Sequence, residues 1–246
     1  MELKIIGSNS AGNAYALDSG NEILLLEAGM KMADVKRAID FRLQDVVGCI
    51  VTHEHGDHAK YAVEYARFGV EVYGPKALEN GKKSFPFGKY HSLIVERTKN
   101  IGNFKVVPFH NYHDVEIYGY LINHPDCGSI LFSTDSYKLG MTLRGISHFL
   151  IEANYEDSLL KENVHNGSIS KAQSDRIMLS HMSLNYCIEY LRDCEAEKSA
   201  KTITLCHLSE RNSDPTIFRN TVAGAFGVPC YIAQRGTIIE LSKDIL

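Results

Sequence analysis

No run in the 246-residue chain is apolar for long enough to cross a bilayer, and no signal-peptide pattern stands at its start. A membrane partner is therefore not expected, and a cytoplasmic setting is. The six cysteines, at 49, 127, 187, 194, 206 and 230, contain no Cys-x-x-Cys pair, and several sit inside apolar runs. They read as reduced, mostly buried thiols rather than a disulfide framework. Excess positive charge is lacking too. A net charge of −4 gives no general attraction to polyanions, so any nucleic-acid contact needs a local basic patch or a bound metal. Repeats, linkers and low-complexity segments are absent as well. What is present is ordinary for a globular protein: 44% hydrophobic and 23% charged residues. The length suits one large α/β domain over residues 1–246.

Strand and helix patterns interleave along the chain. Apolar runs at 2–6, 14–18 and 22–27, separated by "GSNSAGN" and "SGN", predict three strands joined by turns. A helical pattern follows over 31–42, then a buried strand over 47–52 and a helix over 59–68 that stops at Gly69. Strands are expected near 70–73, 92–97, 104–109, 117–122, 128–133 and 148–152. The last third predicts helices at 156–164, 169–178, 184–197 and 214–226, with strands at 202–206, 229–233 and 236–241. In the last helix Asp214 before Pro215 is a start signal and Gly227 a stop. About a dozen strands with helices early and late imply two sheets covered by helices.

One stretch, "CIVTHEHGDHAKY" at 49–61, crowds His53, Glu54, His55, Asp57 and His58 just past an apolar strand. Binding sites of α/β folds tend to lie at such strand ends. Neutral imidazoles and a carboxylate are ligands that zinc and similar divalent ions prefer, and a cation relieves their crowding. Adjacent Asp57 and His58 project differently from His53 and His55, so two ions with two ligands each is the natural division. The remaining ligands must come from elsewhere. Candidates end later strands: His110 and His113 in "VVPFHNYHDV", Asp135 in "ILFSTDSY" and His207 in "TITLCHLSERN".

His-x-His-x-Asp-His followed by a later His, Asp and His closely resembles the metallo-β-lactamase fold hydrolases, over nearly the whole chain. The resemblance implies an α/β four-layer αββα sandwich. It also implies that His53, His55 and His113 hold one ion while Asp57, His58 and His207 hold the other, with Asp135 bridging. His113 is preferred to His110 because the pair His113–Asp114 matches the family's third motif. In "ILLLEAG" the family usually has Asp where Glu27 stands, which leaves a carboxylate behind a ligand histidine.

Four further segments resemble the small YycJ-type (WalJ-like) nucleases of this superfamily. They are "GSNSAGNAYAL", "FLIEANYE", "LSHMSLNY" and "HLSERN". Departures at Tyr155, Ser180 and Leu184 suggest a divergent, phage-type branch. By analogy with related nucleases, His181 would reach a scissile phosphate. Only 71 residues lie between Asp135 and His207, too few for the β-CASP domain of related RNA nucleases. The Gly/Pro-rich arm of tRNA 3′-processing relatives is not visible.

Two divalent metal ions, zinc or manganese, about 3.5–4 Å apart suit in-line attack on phosphorus by a bridging hydroxide. Asp57 or Asp135 would orient it, and His181 would donate to the phosphate or the leaving oxygen. Lys82, Lys83 and Lys89 would meet flanking phosphates, with Phe85, Phe87 or Tyr90 stacking on bases; a merely solvated loop is the competing reading. His91, His124, His148 and His165 carry no assigned role. The expectation is a metal-dependent phosphodiesterase, foremost a DNA exonuclease, acting as a monomer or homodimer. A phage-type phosphodiesterase of cyclic nucleotides comes second. A thioesterase or lactonase comes third, because it leaves His181 without work, and a non-catalytic metal-stabilised module comes last.

Overall fold

The computed structural model describes residues 1–80 and 84–243. The first half folds as β1 (Glu2–Asn9), β2 (Gly12–Asp18), β3 (Ile23–Leu26), α1 (Met32–Ala38), β4 (Val46–Ile50), α2 (Gly56–Ala59), α3 (Ala62–Arg67), β5 (Val72–Gly74), α4 (Lys76–Asn80) and β6 (Tyr90–Ser92). These strands and a late one, β15 (Ile238–Glu240), form a sheet in the order β15-β1-β2-β3-β4-β5-β6, antiparallel as far as β3 and parallel beyond.

The second half supplies β7 (Lys99–Ile101), β8 (Phe104–Tyr112), β9 (Tyr118–His124), β10 (Gly128–Ser133), β11 (Lys138–Leu139), β12 (His148–Glu152), α5 (Asp157–His165), α6 (Lys171–Ser180), α7 (Leu184–Asp193) and α8 (Ala196–Ser199). It ends with β13 (Thr202–Cys206), α9 (Pro215–Phe226), β14 (Cys230–Ile232) and β15 (Ile238–Glu240). Its sheet runs β11-β8-β9-β10-β12-β13-β14, with β7 also paired to β8. β10, β12, β13 and β14 are parallel, so Ser133, Glu152 and Cys206 end their strands on one side of the sheet.

The two sheets pack through Leu17, Leu24 and Ile50 of one against Phe104, Tyr120 and Phe132 of the other. Val35, Ile39 and Tyr65 cover the outer face of the first sheet. Leu184, Leu191, Phe218 and Val222 cover that of the second. The result is the expected αββα order of layers. Burial on both faces explains why β3 reads as a continuous apolar run, and β2 and β13 are likewise buried along their whole length. Local signals place the late helices. Ser170 and Gln173 form a reciprocal capping box before α6, and the Asp214 carboxylate accepts from the N–H groups of Thr216 and Ile217 to open α9.

Several boundaries differ from the sequence reading. "GSNSAGN" is mostly strand: β1 runs to Asn9 and β2 starts at Gly12, with a register shift between Ile5 and Gly7. The helix expected at 59–68 is broken into α2 and α3, because the Tyr61 N–H donates to the carbonyl of Ala28. The strand expected at 92–97 stops at Ser92, and the chain turns through Glu96 at φ 62°. The helix expected at 184–197 ends at Asp193 and restarts at Ala196.

Candidate metal centre

The His-x-His-x-Asp-His segment follows β4, and its second half lies inside α2 rather than on an open loop. Backbone packing fixes it there. The Ala28 N–H donates to His58 O at 2.7 Å and the Tyr61 N–H returns to Ala28 O at 2.8 Å. Gly29 lies so close that an added Cβ would stand 1.7 Å from the carbonyl oxygen of Asp57. Only glycine allows that approach.

Three groups of potential ligands converge. Ligating atoms of His53, His55, His113 and Asp135 lie within 4.8 Å of one another, as do those of Asp57, His58, Asp135 and His207, and those of Asp135, Glu152, His181 and His207. Asp135 belongs to all three. Glu27, Asp135 and His207 each hold a left-handed backbone, at φ 66°, 47° and 53°. This strained geometry, which costs on the order of 1–3 kcal/mol per residue, turns the chain just past each strand end into the site.

Two of the imidazoles, His53 and His113, are held in defined tautomers. The Thr52 hydroxyl donates to Glu27 Oε1 at 2.5 Å and thus accepts from His53 Nδ1 at 2.9 Å. His53 Nε2 is then a buried lone pair with no hydrogen-bond partner, the signature of a nitrogen built to meet a cation. The Ser180 carbonyl accepts from His113 Nδ1 at 3.0 Å, so His113 Nε2 faces the cluster beside His55 Nδ1. His58 Nε2 lies 3.2 Å from both Asp57 Oδ2 and Asp135 Oδ2, while its Nδ1 is 3.3 Å from Glu27 Oε1. His207 Nε2 meets Asp57 Oδ2 at 3.3 Å, and the Asn154 amide donates to His207 O at 2.8 Å. Asn13 closes the second group, its amide 3.1 Å from His58 Nε2.

Charge follows from the same contacts. Burial and neighbouring His58 push the His53 imidazole below its usual range. Burial also lowers His113. Burial opposes the charging of His207, but Asp135, Asp57 and Glu152 outweigh it and raise the group to about 10. Against the same penalty, Asp135 and Glu27 raise His58. His207 and His58 hold Asp135 below the ordinary carboxylate range despite its burial. Asp135 is therefore favoured in its ionised form, and the protons favoured on His58 and His207 occupy positions that a cation would take. The donor set, three imidazoles plus a shared carboxylate beside two imidazoles and two carboxylates, fits divalent metal ions.

His181 caps the C-terminus of α6 at the mouth of the site, with Nδ1 2.8 Å from Glu152 Oε1. Glu152 is fully buried, accepts from the Ser136 and Met182 N–H groups, and also lies 3.3 Å from His207 Nδ1. It raises His181 in spite of burial. The sequence reading missed Glu152 as a site residue. Its signal was the one used for Asp135: an apolar strand ending abruptly in an acid. Arg176 and Arg211, which line the same cavity of about 420 Å³, were also missed, because isolated arginines on a helix and a loop carry no pattern.

Other expected groups lie apart. His110 is exposed on β8, in edge contact with Tyr118. Lys82 and Lys83 lie outside the described residues. Lys89 is taken up by Glu71 at 2.7 Å, Phe85 and Tyr90 pack on each other, and none of the described residues of that loop lines the cavity. Tyr155 is buried in a small apolar cluster with Leu160 and Ile169.

No family model matches the chain. It is 27% identical over 225 residues to exodeoxyribonuclease WalJ of Streptococcus pneumoniae, covering 85% of this chain and 82% of that protein. It is 24% identical over 237 residues to exodeoxyribonuclease YycJ of Bacillus anthracis, covering 91% and 88%. Among solved structures, the metallo-β-lactamase fold protein YhfI from Bacillus subtilis superposes with a TM-score of 0.75 at 16% identity, over 97% of this chain and 99% of that one. The fold is that of the metallo-β-lactamases.

Proposed function

We propose that this metal-dependent hydrolase of the metallo-β-lactamase fold is a dinuclear phosphodiesterase that shortens DNA from an end. The observation that carries the reading is the pair of ligand groups sharing Asp135, with the Glu152–His181 pair at their mouth. Similarity to two proteins named as exodeoxyribonucleases supports DNA as the substrate. When bound, two divalent cations, zinc or manganese, supply charge neutralisation for the phosphoryl oxygens and lower the proton affinity of water at the site.

The chain's own residues do the rest. His53, His55 and His113 hold one cation; Asp57, His58 and His207 hold the other; Asp135 serves both. Asp57 and Asp135 present carboxylate oxygens that fix the orientation of the attacking water. Glu152 favours the charged form of His181 against its burial, and the ring nitrogen away from Glu152 is the one placed to give a proton. That proton goes to a phosphoryl oxygen as a hydrogen bond or to the leaving 3′ or 5′ oxygen as it departs. Arg176 and Arg211 on the cavity wall meet the phosphate charge that remains.

The test is hydrolysis, with zinc and with manganese, of end-labelled duplex DNA, single-stranded DNA and cyclic mononucleotides by the wild type and Asp135→Asn. Asparagine tolerates the left-handed backbone of this position, so the fold is kept while a shared ligand charge is lost. Progressive shortening of DNA that the variant lacks is the expected outcome. A variant that still shortens DNA refutes the two-metal reading. Ring opening of a cyclic nucleotide beside intact DNA refutes the nuclease reading and favours the cyclic-nucleotide one.

A further inference from the structure

Three cavities adjoin along one surface. The one at the ligand cluster, about 420 Å³, shares Ser10, His181, Ser209 and Arg211 with a second of about 500 Å³. The second shares Asn9, Ala11, Leu208 and Glu210 with a third of about 1020 Å³. The turn between β1 and β2 and the segment after His207 are therefore walls of one continuous cleft. It leads from the metal centre to the edge strand β14 and the first turn of α9.

The two outer cavities carry more basic than acidic side chains. Arg176 and Arg211 stand at the metal end and Arg219 in the far cavity. Among the described residues no carboxylate pairs with any of the three. Arg235 also lines the far cavity but is held by Asp34 at 2.8 Å. Among the described residues, Glu210 is the one acid lining the two outer cavities. Tyr231 on β14 lines the far cavity as well and is 36% exposed. In a protein of net charge −4, unpaired guanidinium groups spaced along a cleft, with an exposed aromatic ring at its far end, match a polyanion whose bases are unpaired.

We propose that this cleft carries the single-stranded part of the DNA leading away from the metal centre. Arg211 and Arg219 contact its phosphates and Tyr231 stacks on a base. The proposal rests on the exonuclease reading for the identity of the substrate. It explains a cleft whose outer part exceeds the cavity around the reacting phosphate. A paired duplex would not offer Tyr231 a base face.

The test uses metal-loaded protein and a short fluorescent phosphorothioate single strand, which binds without being consumed. Arg219→Ala and Tyr231→Ala are compared with the wild type by anisotropy across a salt series. Hydrolysis of bis(p-nitrophenyl) phosphate, too short to reach from the metal centre into the outer cleft, is measured in parallel. The expected result is affinity lower by about fivefold or more in each variant. In Arg219→Ala the salt dependence flattens by about 0.7 in slope. Hydrolysis of the small diester stays unchanged. Binding equal to the wild type, no binding by the wild type, or an equal loss of small-diester hydrolysis overturns the proposal. The two readings fail separately. Binding that needs Arg219 in a protein that leaves ordinary DNA intact supports the cleft and refutes the exonuclease. Shortening of DNA with binding indifferent to both residues refutes the cleft alone.

Discussion

Thr52→Val isolates the device that prepares His53 for a cation. Thr52 is fully buried; its hydroxyl donates to Glu27 at 2.5 Å and accepts from His53 Nδ1 at 2.9 Å. Valine keeps the shape and removes both bonds. His53 then has two choices. It keeps its proton on Nδ1 as an unpaired buried donor, at about 1–3 kcal/mol, or it moves the proton to Nε2, where the cation must sit. Either way metal affinity falls, by about 10–100-fold, or ~1.4–2.7 kcal/mol. Thr52→Ser keeps the hydroxyl and restores most of the affinity. Competition of the metal-free protein against a chromophoric zinc chelator measures the constant. A thermal melt without metal, expected to move by only about 2–4 °C per kcal/mol, shows that the fold persists. Wild-type affinity in Thr52→Val, or a Thr52→Ser variant as weak as the valine one, refutes the reasoning.

Gly29→Ala forces a methyl group against the carbonyl of Asp57, so it costs about 3 kcal/mol or more and lowers Tm by about 6 °C or more, measured by calorimetry. Because His207 is raised to about 10 and His58 is raised as well, loading the site releases protons and apparent affinity weakens as pH falls. Titration calorimetry in buffers of differing ionisation enthalpy detects that release, and zero net proton release contradicts the assignment. Glu152→Gln removes the charge that raises His181. Activity that requires protonated His181 is lost as pH rises through its pKa, so the alkaline limb of the kcat profile moves to lower pH in the variant; an unmoved limb rules out His181 as the proton donor.

How much of this was legible in the chain depends on whether an interaction is local or crosses between sheets. His53, His55, Asp57 and His58 announce themselves because four polar side chains after an apolar strand need a common partner. Asp135 and His207 show as apolar runs that end abruptly, and Glu152 ends β12 in the same way. Reading that acid only as part of a motif hid its work. The break between α2 and α3 was not legible, because it depends on a hydrogen bond from Tyr61 to Ala28, thirty-three residues earlier. Equally hidden were the left-handed conformations at Glu27, Asp135 and His207. None is glycine, and although aspartate and histidine visit this region more readily than most residues, glutamate does not. Each persists because packing of the two sheets dictates where the strand end must go. Strain at three converging residues in a well-packed sandwich is what a site held ready for ligands would show, and its cost falls on stability rather than on binding. Relaxing it at Asp135 with glycine would therefore leave a fold at least as easy to form and a site without its shared carboxylate.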